Sequence, residues 1–178
     1  MAEQGFDQTA VESILAQADA EGFYEQSADD WQPEVGDDGV IVAAVTDAGI
    51  QQRQDKDTGI DFVNMKPILT VVEATGTNGK DLAGREFPLD RFGFASHNVR
   101  RGSEFGARNN MRACSVIAGE PVASAAACLQ VWQQAAAAQT VLQITEKVRE
   151  KDGKVYHNYN VTAVIDAATP DVEAPAAE

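Results

Sequence analysis

The sequence predicts a mainly β fold with helices, in which five strands form a small barrel and a helical block follows the third strand. Three observations lead to this prediction. Between Gly39 and Phe94, segments rich in β-branched and aromatic residues alternate with short polar turns. Residues 106–139 are instead rich in Ala, Gln and Leu, which favour helix. A final pair of β-type segments flanks Asp152-Gly153, a dipeptide typical of tight hairpins.

An additional helix is predicted near the N-terminus. Thr9 and Glu12 have the spacing of a capping box. Four apolar residues then follow the helical period: Val11, Ile14, Leu15 and Ala18. We therefore interpret residues 1–38 as an acidic helix with an irregular lead-in to the first strand.

The first three strands are expected at residues 39–45, 61–75 and 85–94, and the helical block is expected to break near Gly119-Glu120-Pro121. Five strands with a helix after the third is the chain order of an OB-fold, a partly open barrel that often binds oligonucleotides. Strand count alone leaves a generic α+β sandwich or another small barrel open. The domain would span residues 39–166, and the Pro-, Ala- and acid-rich residues 167–178 would form a disordered tail.

The net charge of -14 is distributed unevenly along the chain. Residues 1–52 contain twelve acidic residues and no Lys or Arg, and residues 166–178 contain four acidic residues and again no basic one. All fourteen basic residues lie between Arg53 and Lys154, together with the remaining twelve acidic ones. The middle of the chain therefore has a net charge of +2, and the acidity belongs to the two flanks.

Arginines are concentrated just before and within the helical block, where phenylalanines are interleaved with them and Glu104 is the one acid after Asp90. Such a segment can neutralise phosphates and stack bases without reading their sequence, and its glycines favour a flexible loop. The alternative is a solvated connector whose arginines pair with the acidic flanks. The predicted nucleic-acid-binding residues of this segment are Arg91, Phe92, Phe94, Arg100, Arg101, Phe105, Arg108 and Arg112.

The final hairpin is predicted to have two chemically different faces. A two-residue loop at Asp152-Gly153 pairs Arg149 with Tyr156 and Leu142 with Ala163. One face is then apolar and predicted to be core, with Leu142, Ile144, Val148, Val161, Ala163 and Ile165. The opposite face suits a polyanion with stackable bases, although an ordinary solvated surface is the alternative. It carries three further predicted binding residues, Lys147, Arg149 and Tyr156, beside Asn158 and Asn160.

The chain has few signs of enzymatic chemistry. It has two histidines and no CxxC, HExxH or nucleophile-elbow motif, so we expect a non-enzymatic protein with no metal or other cofactor. Cys114 and Cys128 are interpreted as reduced, buried thiols. The apolar runs are shorter than the roughly 18 residues of a membrane span, and we expect a cytoplasmic protein with no membrane partner.

Three segments resemble phage-encoded single-stranded-DNA-binding proteins with an OB-like core and an acidic C-terminal tail. They are DDWQPEVGDDGVIVAAVTDAGI (29–50), DLAGREF (81–87) and VLQITEKVREKDGKVYHNYNV (141–161). The resemblance extends over about residues 30–178. It implies sequence-tolerant binding and protection of single-stranded DNA in replication, recombination or repair, in the cytoplasm of the host cell. Replication or recombination proteins would then be partners of the acidic tail.

Two other functions stay open at the level of the sequence. An interaction protein could dock a basic partner through its acidic ends. An acidic DNA mimic could inhibit a DNA-binding enzyme, but the concentrated arginines count against it because a mimic should not expose them. The sequence does not determine the oligomeric state, and a homo-oligomer is also left open.

Overall fold

A computed structural model describes residues 7–24, 39–75, 82–89, 94–95 and 103–165. The helices are α1 (Gln8–Ala20), α2 (Ser103–Ala118) and α3 (Ala125–Ala137). The strands are β1 (Val40–Asp47), β2 (Ile50–Gln54), β3 (Asp61–Met65), β4 (Ile68–Ala74), β5 (Glu86–Pro88), β6 (Phe94–Ala95), β7 (Val141–Lys151) and β8 (Lys154–Ile165). The predicted class, mainly β with helices, is confirmed. Of the lead-in predicted at 23–38, residues 25–38 lie outside the described residues, as does the predicted tail at 167–178.

Within the described residues, the strands form an open antiparallel arrangement and not a closed barrel. Five strands pair in the order β5-β4-β1-β7-β8, and three pair in the order β2-β3-β6. The single strand predicted at 61–75 is divided into β3 and β4 at Lys66-Pro67. The strand predicted at 85–94 is likewise divided into β5 and β6. β1 and β2 together form one side of a long hairpin, and β3 and β4 form the other. This hairpin passes from one sheet into the other at Ala48-Gly49 on the first side and at Lys66-Pro67 on the second.

Gly49 forms the bend at which this hairpin changes sheets. Its φ is +61°, and its carbonyl oxygen accepts a 2.9 Å hydrogen bond from the N–H of Lys66. A Cβ on residue 49 would lie 1.8 Å from the carbonyl oxygen of Lys66. Only glycine therefore fits the bend without moving the facing backbone.

The predicted apolar stripe of α1 is confirmed, since Val11, Ile14, Leu15 and Ala18 are all buried. The predicted capping box is wrong. Asp7 is the N-cap, and its Oδ1 accepts hydrogen bonds from the N–H groups of Thr9 (3.0 Å) and Ala10 (3.3 Å). The helix therefore begins two residues earlier than Thr9 and Glu12 indicate.

A carboxylate of α1 also caps α3. Asp19 accepts hydrogen bonds from the N–H groups of Ala125 (2.7 Å) and Ala126 (3.2 Å), at the first turn of α3. The negative charge lies where the helix dipole of α3 is positive, which stabilises the contact. The two helices are thereby joined over 106 residues of sequence.

Asn110 of α2 is the polar centre of the core and is fully buried. Its Oδ1 accepts a 2.7 Å hydrogen bond from Nε1 of Trp132 and a 3.2 Å bond from Sγ of Cys114. Its Nδ2 donates to the hydroxyl oxygen of Tyr24 at 3.4 Å. One amide thus satisfies polar groups from α3, from α2 itself and from the segment after α1.

The cysteine prediction is confirmed, because Cys114 and Cys128 are both free and buried. Burial raises the pKa of the Cys114 thiol and also that of the Tyr24 hydroxyl. Both groups are therefore neutral at neutral pH, as a core requires.

Replacing Gly49 should be far more damaging than replacing another glycine of similar φ. We expect Gly49→Ala to lower the free energy of unfolding in urea by well over about 1 kcal/mol, because the new Cβ meets backbone. Gly59→Ala is the matched control, since its φ is +70° and no atom lies within 4 Å of the added Cβ. Equal losses would contradict the bend described here.

The Asn110 contacts predict a second difference in stability. Asn110→Ala leaves the buried Trp132 N–H without its acceptor, so we expect a loss of about 1–3 kcal/mol from the unsatisfied donor. Asn109→Ala, at the neighbouring and half-exposed position of the same helix, should change stability by less than about 0.5 kcal/mol. Urea unfolding followed by circular dichroism measures both, and similar losses would refute a structural role for the Asn110 amide.

Candidate nucleic-acid interface

The pairing of β7 with β8 extends beyond the rest of the five-stranded sheet. β1 pairs with β7 only from Val141 to Thr145, whereas β8 pairs with β7 along its full length. Within the described residues, 146–159 therefore form a two-stranded ribbon, called the arm below. Asp152 and Gly153 turn the chain at its tip with φ values of +55° and +71°. Two positive φ values are the requirement of a type I′ hairpin turn.

The predicted register is confirmed over most of the arm. Arg149 pairs with Tyr156, and Lys147 pairs with Asn158. The prediction that Leu142 pairs with Ala163 is wrong, because a bulge after Gln143 shifts the pairing and places Val164 opposite Leu142. Thr162 is the extra residue of β8 at this point, and its Oγ1 donates to the carbonyl oxygen of Gln143 at 3.2 Å.

Alternation along the two strands separates the charges of the arm. Glu146 and Glu150 share one face with Val148 and Val155, as their register positions require. The other face has four cations and no carboxylate, and it is called the basic face below. Its residues are Lys147, Arg149, Lys151, Lys154, Tyr156 and Asn158. Sequence reasoning missed Lys151 and Lys154, although the same turn register pairs them beside the tip.

The basic face is open to solvent. Arg149, Lys151 and Lys154 are exposed, and the Tyr156 side chain is 41% exposed. The face lies opposite the one that carries the buried Ile144 and Val161, so its cations point away from the core. An aromatic ring is thus accessible within a row of positive charges.

The apolar face of the hairpin is core over only part of its length. Leu142, Ile144 and Val161 are buried as predicted. The prediction that Val148 is core is wrong, because it is 50% exposed on the arm, beyond the part of β7 that pairs with β1. Ile165, at the last position of β8, is likewise exposed and not core.

The arginine segment is helical where the structure describes its second half. The flexible loop expected from the glycines is wrong at residues 103–106, because the helix α2 begins at Ser103 and includes Gly106. The helix expected from residue 106 onward is confirmed at Arg108 and Arg112. Phe105 is 61% exposed, and the guanidinium of Arg108 lies 5.5 Å from the centre of its ring. Arg108 and Arg112 are half-buried. These three predicted residues therefore share one helix.

The remaining predicted residues of the segment are less fully described. The backbone of Phe94 belongs to β6 and pairs with Met65. Four residues lie outside the described part of the chain: Arg91, Phe92, Arg100 and Arg101. Their predicted role in binding nucleic acid stays a prediction.

The two groups of predicted residues that the structure describes lie on different layers. α2 contributes Ala107, Met111 and Cys114 to the core cluster that also contains Ile144 and Val161. The basic face of the arm is on the opposite side of β7 and β8. The structure thus brings Lys147, Arg149 and Tyr156 together, but it does not join them to the arginines of α2.

Comparisons with known proteins do not assign the chain to a group. No family model matches the sequence, and no curated protein matches it. Among the described residues, no three His, Cys, Asp or Glu side chains form a cluster that could hold a metal ion. None of the helices in the described ranges is long and apolar enough to cross a bilayer.

Proposed function

We propose that the protein binds single-stranded DNA, without sequence preference and without catalysis, through the basic face of the arm. The observation that carries this proposal is the separation of charge on one hairpin. Four cations share a face with an exposed tyrosine, and both glutamates of the paired strands are on the other face. Phosphates are attracted by such a row of cations, and a base can stack on the tyrosine ring.

The spacing of the cations suits a flexible strand. Lys147, Arg149 and Lys151 follow one another on β7 at intervals of about 7 Å, the repeat of alternate residues in a strand. Lys154 extends the row around the turn. Because cations of this kind displace condensed counterions, affinity should fall steeply as the salt concentration rises.

We also propose that the open sheet is an unclosed OB-like barrel. β1 with β2, β3 with β4, and β5 with β6 can each be taken as one bent strand, which gives five strands with the helices after the third. The edge strands of the five-stranded sheet are β5 and β8. They approach each other, since the ring centroids of Phe87 in β5 and Tyr159 in β8 are 6.3 Å apart. In OB-folds the loop between the last two strands contributes to oligonucleotide binding, and the arm is in that position.

The biological setting is proposed from the resemblance of three segments to phage single-stranded-DNA-binding proteins. Protection of single strands in replication, recombination or repair, in the cytoplasm of a host cell, is the role that this resemblance supports. Replication or recombination proteins are the proposed partners of the acidic C-terminal residues.

Fluorescence titration with oligo(dT) at several salt concentrations tests the charge of the arm. We expect binding at low salt, and Arg149→Gln should weaken it and reduce the slope of log affinity against log salt by roughly 0.7, the value for one contact to a single strand. Arg85→Gln removes the same charge at an exposed position outside the arm and should leave affinity and slope nearly unchanged. No binding at low salt, or equal effects of the two substitutions, would refute the proposal.

The same titration tests stacking on Tyr156. Tyr156→Ala should weaken binding by about 1–3 kcal/mol, and the salt slope should stay the same because no charge is lost. Tyr156→Phe keeps the ring and should retain most of the affinity. If both substitutions weaken binding equally, the hydroxyl acts and the ring does not stack.

A further inference from the structure

The first turn of α2 presents an exposed aromatic ring beside a carboxylate. Phe105 is 61% exposed, which is more than any other large apolar side chain in the described part of the chain. Glu104 directly precedes it in the helix. One exposed apolar side chain is ordinary for a protein surface, but this molecule also contains a cavity that suits the ring.

The cavity lies beside the other end of the same helix. Its volume is about 430 Å³, and it is formed by the C-terminal half of α2 and by residues 119–123, which lead to α3. The described lining is apolar except at Glu120 and Ser115. The hydroxyl of Ser115 is already satisfied, because Oγ donates to the carbonyl oxygen of Met111 at 2.7 Å and accepts from the N–H of Val122 at 2.9 Å. An apolar cavity of about 150 Å³ is large enough to bind benzene, so a phenylalanine ring fits here.

Phe105 cannot enter the cavity of its own chain. Val116 lines the cavity and follows Phe105 by eleven residues on one continuous helix. Eleven residues of α-helix span about 16 Å, which is beyond the reach of a phenylalanine side chain. The ring and the cavity can therefore meet only between two copies of the chain.

The charges beside the ring and beside the cavity are opposite. Arg112 precedes Val116 by four residues and therefore lies on the same side of α2. Arg112 is half-buried, and its Nε is buried without a hydrogen-bond partner in the described ranges. A carboxylate is the strongest hydrogen-bond partner of a guanidinium group. Glu104 supplies one, because it adjoins Phe105 and Arg112 is only about 6 Å along the helix from Val116.

We propose that copies of this chain associate head to tail, with the Phe105 ring of one copy in the α2 cavity of the next. Glu104 of the first copy then pairs with Arg112 of the second. A two-fold antiparallel pairing of the helices is unfavourable, because placing Phe105 opposite Gly119 also places the two Arg112 side chains opposite each other. The contact is therefore heterologous, and association continues beyond a dimer.

The basic face of the arm takes no part in this contact. The association therefore stands whether or not the arm binds DNA. If the arm binds a single strand as proposed above, the same contact makes neighbouring copies bind that strand cooperatively.

Sedimentation equilibrium of the full-length chain at low salt tests the association. We expect the weight-average mass to rise with concentration beyond the mass of a dimer. Phe105→Ala should weaken association about tenfold or more, because the ring anchors the contact. Val155→Ala is the matched control, since it also trims an exposed apolar side chain (55% exposed), but on the arm, and should leave association unchanged.

Blocking the cavity tests the contact from its other side. Ala123 is exposed and lines the cavity, so Ala123→Phe should fill it and prevent association while leaving Phe105 intact. An equal mixture of Phe105→Ala chains and Ala123→Phe chains retains one usable ring and one usable cavity. The mixture should therefore form dimers that grow no further.

The charged pair is tested by a double-mutant cycle. Glu104→Gln and Arg112→Gln should each weaken association, and the two together should weaken it no more than the stronger one alone, because both remove the same contact. Circular dichroism checks that each variant is folded. A monomer that persists into the millimolar range, a mass that stops at a dimer, or association that survives Phe105→Ala or Ala123→Phe would overturn the proposal.

Discussion

The turn at Asp152-Gly153 sets the pairing of β7 with β8, and both the core and the proposed binding surface depend on that pairing. Side chains alternate along a strand, so a slip of one residue would move every side chain of a strand to the other face. In the observed register Ile144 and Val161 are paired and buried, while Lys147 and Asn158 are paired on the opposite face. The burial of the first pair therefore holds the cations of the arm on one side.

The charges of the protein are separated at two levels. Along the sequence, the acids are concentrated at both ends and all the basic residues lie in the middle. In space, four of the described cations lie on the arm and two on α2, on different layers of the fold. The net charge of the whole chain, -14, describes neither group.

The parts of the fold that follow from local patterns could be predicted from sequence. The Asp-Gly turn and strict alternation predict the pairing of Arg149 with Tyr156, and helical periodicity predicts the buried face of α1. No sequence pattern indicates the bulge after Gln143, so the predicted partner of Leu142, Ala163, is one residue away from the observed partner, Val164. The burial of Val148 was wrongly predicted because alternation indicates a face but not where the core ends.

Contacts between residues that are distant in the sequence cannot be predicted from local patterns. Asn110 is one of several polar residues in an arginine-rich segment, and nothing local indicates that Trp132 and Tyr24 meet it in the core.

The central claim, that the basic face of the arm holds a single strand, is tested most directly by photo-crosslinking to oligo(dT) with 5-iodouracil at one position, followed by mass spectrometry. Crosslinks at Tyr156, lost at high salt, are the expected result. Crosslinks confined to Phe105 on α2, or none on the arm, would contradict the claim.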